Sequence, residues 1–323
     1  MPSADFVITS VGTINMDWIA KVPVIPVPDA ETTILELIFR FGGAAANFSV
    51  SCTRLGYTAR LVGCVGDDEE GQTILKELST EGVVLRDVKI IEGETTGFTI
   101  ITVDPKGERA VLMHKGANQY LENYIDEVDF KGSNIIYVAG TPFPLVKKLW
   151  TIASDVDAIF AYNAGAELSD SKLTLTEIVE TINRIGKPDV LFISSRAYER
   201  LTKEKPTEGF IATRMKEIVD GKDIIVVVTM GAAGAVIVSK DQILKAEAFE
   251  VNAVDSTGAG DAFAAGFLTR IAQGKNLEEA GIFASAVSAI KCTIPGAQEG
   301  LPTSEEVEEF LEERRKENTK KGK

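Results

Sequence analysis

The apolar positions fall first into short, unbroken runs. Phe6–Val11 is almost wholly apolar and closes at Gly12, the pattern of a strand buried on both faces of a parallel sheet and too short for a self-supporting helix. Ala44–Leu55 reads as a helix of small residues stopped at Gly56, and Ala59–Val65 returns to strand character. Over 68–80 acids open the first turn and Ile74, Leu75 and Leu78 recur at helical spacing until Gly82. From Asn134 onward strands at 134–138, 157–160, 189–193 and 224–228 alternate with helices at 144–153, 172–184 and 208–219. Ile224–Ser239 is interrupted by Gly231 and Gly234, so it reads as two buried strands rather than a membrane span. Two long helices of small residues follow at 259–272 and 277–291, then an acidic helix after the cap residues Thr303 and Ser304. This succession predicts an α/β fold in three layers, a doubly wound, mostly parallel sheet flanked by helices.

Two stretches break the alternation. Between Glu31 and Arg40, and from Gly97 to Met113, apolar and polar residues alternate, with turn chemistry at Asp104-Pro105-Lys106-Gly107. They predict a small antiparallel β-sheet lid, formed by segments 15–40 and 95–116 and inserted in a single domain over 1–323. No repeat or low-complexity linker divides the chain.

Composition narrows the function. With 323 residues, 45% hydrophobic and 25% charged, the chain has material for a sizeable core and is not a disordered one. Its 34 Lys+Arg against 48 Asp+Glu give a net charge of -14, which disfavours nucleic acid and anionic membrane as partners. Cys52, Cys64 and Cys292 stand far apart without a C-x-x-C, and the N-terminus lacks the basic start and apolar core of a secretory signal, so a cytoplasmic location is expected. The single histidine, His114, removes most catalytic-triad and zinc readings.

The stretch richest in chemistry is Ala253–Phe267, AVDSTGAGDAFAAGF, where two carboxylates flank a glycine-rich turn ahead of an Ala-rich helix. Gly258 and Gly260 permit close backbone approach, and the first N–H groups of a helix point at any anion placed there. The helix end alone is worth only about 0.3–1 kcal/mol at a surface, and up to about 2 when partly buried, so direct N–H bonds and a metal must add to it before a phosphate is activated. Asp261, in the first turn, is placed to accept the proton of an attacking hydroxyl. Taken alone, it reads equally well as an acid complementing the helix dipole. A dinucleotide fingerprint is absent, because Phe263 stands where a sixth-position glycine is needed, and no G-x-x-x-x-G-K-[ST] or H-R-D pattern occurs.

Asp255-Ser256-Thr257-Gly258-Ala259-Gly260-Asp261-Ala262-Phe263 resembles the C-terminal signature of the ribokinase-like (PfkB-type) sugar and nucleoside kinase family. Further matches are Gly12-Thr13-Ile14-Asn15-Met16-Asp17, Gly42-Gly43-Ala44-Ala45-Ala46-Asn47, Gly97, the turn at 107–109, Gly116-Ala117-Asn118, and Thr229-Met230-Gly231 with Gly234. The resemblance implies Asp261 as general base, with Thr257, Gly258, Ala259 and Gly260 offering N–H groups to the transferring phosphate. It implies that Asn15, Asp17, Gly42, Gly43 and Asn47 hold sugar hydroxyls, and a carboxylate that accepts beside amides that donate and accept does suit a vicinal diol. Thr229, Gly231 and Gly234 would lie near the nucleotide, as would Ser285, which stands where ribokinases often carry Asn.

ATP and Mg2+ are the implied cofactors. The family's N-x-x-E motif, which arranges Mg2+ through water, survives here as Arg196-Ala197-Tyr198-Glu199, with Arg196 in the Asn place. A monovalent cation site, for K+, is implied near Asp255 and Gly296-Ala297-Gln298. The implied activity is ATP-dependent phosphorylation of a hydroxyl on a small sugar, a pentose such as ribose first. Ala44 and Ala45 replace the family's K-G, and the usual acid after the central strand is not evident in Ala139-Gly140-Thr141-Pro142, so a nucleoside, another sugar or a sugar phosphate stays open as acceptor. From other classes, a nicotinamide-dependent oxidoreductase is disfavoured by the missing fingerprint, and a non-catalytic sugar or nucleotide sensor by the intact Asp261. A homodimer paired through the lid edge is expected.

Overall fold

A computed structural model of the chain describes residues 6–165, 174–181 and 189–321. In chain order the elements are β1 (Val7–Gly12), β2 (Asn15–Lys21), β3 (Glu36–Gly42), α1 (Ala44–Arg54), β4 (Thr58–Gly66), α2 (Glu69–Thr80), β5 (Val84–Ile91), β6 (Gly97–Val103) and β7 (Arg109–His114). There follow α3 (Leu121–Tyr124), β8 (Ser133–Ala139), α4 (Phe143–Asp155), β9 (Ile159–Ala164), α5 (Leu175–Thr181), β10 (Asp189–Ser194), α6 (Ser195–Thr202) and α7 (Glu208–Val219). The last are β11 (Ile224–Thr229), β12 (Ala235–Val238), β13 (Ile243–Ala246), α8 (Ala259–Ala272), α9 (Leu277–Lys291) and α10 (Ser304–Lys321).

Nine strands form one sheet in the order β13-β12-β11-β10-β9-β8-β1-β4-β5. It is parallel from β11 to β5, and β12 and β13 run antiparallel at its edge. Alternate side chains of the strands feed two cores: Ile8, Leu61 and Val65 pack with α1, α2, α8, α9 and α10, while Val11, Val62 and Cys64 pack with α4, α5, α6 and α7. The three-layer doubly wound arrangement expected from the run pattern is the one found. From β1 the chain winds outward through β4 and β5, then returns to β8 and winds the other way, so β1 and β8 flank the topological switch point, the place where ligands bind in such sheets.

The second sheet has the order β3-β2-β6-β7 and is mixed, not antiparallel: β2 and β6 run parallel, Asn15 opposite Gly97 through Lys21 opposite Val103. Both strands leave the same edge of a parallel sheet, after β1 and β5, and so extend side by side in one direction, which alternation in the sequence does not reveal. Regular pairing also starts at Glu36 rather than Glu31. β5, an edge strand with half-exposed positions, and β13 escape the pattern reading because neither keeps a clean period. The strand expected at 157–160 begins at Ile159, since Asp157 takes a left-handed turn conformation, φ 56°. Of the helix expected at 172–184, residues 172–173 and 182–184 lie outside the described residues. Cys52, Cys64 and Cys292 are free thiols. Among the described residues no helix is long and apolar enough to cross a membrane.

Candidate active site

The chain leaves the switch point at Gly12 and enters β2, which carries Asn15 and Asp17 over the C-terminal end of the large sheet. Asp17 is 7% exposed and accepts from Thr99 Oγ1 at 2.5 Å. A Cβ on Gly42 would stand 2.2 Å from Asp17 Oδ2, so the carboxylate occupies space that only glycine leaves. Burial pushes Asp17 up to about 6; the Thr99 hydroxyl opposes this, and the like charges of Glu299 and Asp255 add to it. Asn15 Oδ1 accepts from Asn118 Nδ2 at 2.9 Å, and Asn118 also pairs with the main chain of Ile14, Oδ1 with N at 3.0 Å and Nδ2 with O at 3.1 Å. Asn118 thereby fixes the step from β1 to β2.

The other half of the site is the turn into α8. Gly258 caps the helix at φ 76°, and a Cβ there would meet Ala297 O at 2.7 Å. Of the four amides implied as phosphate donors, Thr257 N–H is used on Asp255 Oδ1 at 2.9 Å and Ala259 N–H on Ser256 O at 3.2 Å. Of the four, the N–H groups of Gly258 and Gly260 are left as candidate phosphate donors. Asp261 accepts on Oδ2 from Asn47 Nδ2 at 3.0 Å and on Oδ1 from Asn163 Nδ2 at 3.4 Å. Asn163 also donates to Tyr137 Oη at 2.8 Å, and Asn47 Oδ1 accepts from Gln298 Nε2 at 3.0 Å. Asn47, expected on the sugar, donates to Asp261 and accepts from Gln298, so its carboxamide also holds the acid in place. Its place follows from α1, whose first turn begins at Gly43, with Asn47 N–H bonded to Gly43 O at 2.9 Å.

Beside this turn lies a cleft of about 590 Å³, lined by Thr229, Gly231, Gly234, Phe249, Val251, Ala253, Ser285 and Cys292 and reaching Ala259 and Gly260. Its size and mostly apolar wall suit a heteroaromatic ring with sugar, and it reaches the start of α8, where first-turn N–H groups suit phosphates. Thr229, Gly231, Gly234 and Ser285 are therefore together. Thr257 is not with them, for its hydroxyl also binds Asp255 Oδ1, at 2.7 Å.

Asp255 anchors the turn from behind, its Oδ2 accepting from Gly296 N–H at 2.9 Å and its main-chain carbonyl from Lys291 Nζ at 2.7 Å. Burial works to raise its carboxyl, but the bonds from Thr257 and Gly296 and the Lys291 charge outweigh that and hold it below the usual range. Glu199 is exposed on α6, which starts from the rim where Ser194 pairs with Thr229. Among the described residues no group of three His, Cys, Asp or Glu is arranged to hold a metal. An exposed carboxylate such as Glu199 fits the outer ligation of an ion that nucleotide phosphates and water hold.

Sequence reading missed Thr99 and Asn163, and it placed Gln298 in the cation loop, whereas its side chain donates to Asn47. Asn163 leaves a trace, a lone amide near the end of the buried run IFAYNA, whereas Thr99 is marked only by strand register opposite Asp17.

A family of known proteins, the pfkB family carbohydrate kinases, matches this chain over residues 6–304. The chain is 29% identical over 312 residues to ribokinase of Haemophilus influenzae, covering 94% of this chain and 98% of that one. It is equally 29% identical to the ATP-dependent ribose-1-phosphate kinase of Halopiger xanaduensis, over 95% of this chain and 98% of the other. Among solved structures, the nucleoside kinase of Methanocaldococcus jannaschii superposes with a TM-score of 0.80 at 26% identity, covering 95% of this chain and 98% of that one. Since the matched span takes in both cores, the small sheet and the turn into α8, this chain belongs to the pfkB family of carbohydrate kinases.

Proposed function

We propose that the chain is an ATP-dependent kinase that phosphorylates a hydroxyl of a small neutral sugar, with a pentose such as ribose as the preferred acceptor. One observation carries this reading: Asp261 stands in the first turn of α8, next to Gly260 on the cleft wall, and its carboxylate is aimed by Asn47 of α1, the helix that starts just after Gly42, where Asp17 packs. In the reaction the acceptor oxygen attacks the terminal phosphorus of ATP, its proton passes to Asp261, and the bond to the ADP oxygen breaks. Asp17 and Asn15 hold the sugar hydroxyls and fix the attack angle. The amides of Gly258 and Gly260 bind the phosphoryl oxygens as charge grows on them. Glu199 would help hold Mg2+, and the ion would supply charge neutralisation to the phosphates. The small sheet closes over the acceptor and keeps water from competing for the phosphoryl group.

Charge near the pocket favours a neutral acceptor over a sugar phosphate. Arg40 lies opposite Asp17 in the β2–β3 register, and its Nε is already paired with Glu299 Oε1 at 2.9 Å. A nucleoside is the second reading. On the face of the small sheet that carries Asp17, the next row is aliphatic, Ile38, Ile19 and Ile101, a wall suited to a base attached to the sugar. The Methanocaldococcus jannaschii relative is named a nucleoside kinase. The same reading pairs two copies of the chain through the small sheet, where Leu37, Phe39 and Leu112 are exposed close to edge strands β3 and β7.

The test is ATP consumption with ribose, ribose 1-phosphate, other free sugars and a panel of nucleosides. Ribose should show the highest kcat/KM. A nucleoside ahead of ribose would select the second reading, and no turnover with any acceptor would overturn both.

A further inference from the structure

The resemblance to ribokinases assigns a monovalent cation to the loop around Asp255 and residues 296–298, but here a side chain of the protein already points into that loop. Lys291, the last residue of α9, is 0% exposed, and its Nζ donates to the main-chain carbonyl of Asp255 at 2.7 Å. Segments 254–255 and 291–292 are laced together: the N–H groups of Val254 and Asp255 bond to Cys292 O at 2.8 and 3.2 Å. A carbonyl turned inward beside a carboxylate is the kind of ligand a potassium ion takes. That carbonyl is used by an ammonium of the same charge, so the residues do not fit a diffusible ion there.

A buried cation persists only when it is paired. Burial holds Lys291 below the ordinary lysine value, and the charges of Asp255, Cys292 and Glu299 act against that. Asp255 in turn fastens Thr257 and Gly296, which shape the backbone leading into Gly258 and Gly260. A fixed positive charge behind this turn holds the phosphate cradle in shape.

We propose that Lys291 is a built-in replacement for the monovalent cation, so that phosphoryl transfer by this chain needs no potassium. Lys291 is then a positioning residue that acts through the Asp255 turn. The proposal rests on the kinase reading for its kinetic arm, while melting temperature reports cation binding whatever the acceptor.

Wild type, Lys291→Ala and Lys291→Met are compared in KCl and NaCl at equal ionic strength, by steady-state kinetics and thermal melting. Wild type should show the same kcat and the same melting temperature in both salts. Lys291→Ala, which opens the space, should lose about 10- to 100-fold in kcat in sodium, regain most of it with potassium, and melt higher in potassium than in sodium. Lys291→Met fills the space without charge, so it should lose activity and gain nothing from potassium. A wild-type enzyme activated several-fold by potassium, or melting higher in it, would overturn the proposal even if neither variant folds. So would a Lys291→Ala enzyme that keeps wild-type kcat in sodium, or one that loses activity and responds to potassium in neither readout.

Discussion

Asn47 and Asp261 are 214 residues apart in sequence, yet Asn47 Nδ2 donates to Asp261 Oδ2 at 3.0 Å. That bond ties the first helix of the chain to the helix whose start is proposed to hold the phosphates, and Gln298 holds the far end of the Asn47 amide at 3.0 Å. Asn47→Ala keeps the base but releases its aim, so kcat should fall about 10- to 100-fold with the KM for ATP little changed. Asn47→Asp sets a second carboxylate against Asp261. Like charges so close raise the apparent pKa of the pair, and the acid limb of the kcat profile should move to higher pH, a shift that Asn47→Ala does not produce.

With Asp17 as the proposed sugar ligand, acceptor binding is linked to pH. Its carboxyl is raised from 3.8 to about 6 in the folded chain, so it gains a proton as pH falls through about 6 and loses an acceptor for sugar hydroxyls. KM for the sugar should rise below about pH 6 while KM for ATP stays level. Stability runs the other way: between 3.8 and about 6 the native state binds more protons than the unfolded one, so the Asp17 contribution to stability falls as pH rises through this window. Asp17→Asn should therefore stabilise the protein at pH 7, by up to about 3 kcal/mol, with the gain vanishing below about pH 4 and sugar binding lost. Melting at the two pH values, with the sugar KM, checks both halves.

The legible and illegible parts of the molecule divide on physical grounds. β1 and the turn into α8 were readable because each is local: a short apolar run has one stable home, and glycines followed by an acid at a helix start have few uses. The parallel course of β2 beside β6, the Thr99 bond to Asp17 and the Asn47 bond to Asp261 are long-range facts with no local signature. Lys291 sits between. A single charge closing the apolar helix run Ala280–Ile290 is visible in sequence, but that it turns inward to Asp255 is not.

The exposed apolar side chains of the small sheet should be buried against a second copy of the chain. Leu112 on β7 is 68% exposed and Phe39 on β3 is 53% exposed. Sedimentation equilibrium at micromolar concentration should give a dimer, and Leu112→Glu should give a monomer with its melting temperature lowered. A wild-type monomer at that concentration would remove the dimer from the account.

The central claim is that Asp261 takes the acceptor proton while the turn before it holds the phosphoryl group. Its most direct measurement is single-turnover transfer from ATP by Asp261→Asn, alongside ATP affinity by calorimetry. The account predicts transfer slower by about 10²- to 10⁴-fold with ATP affinity within about twofold of wild type. Transfer near the wild-type rate would contradict it.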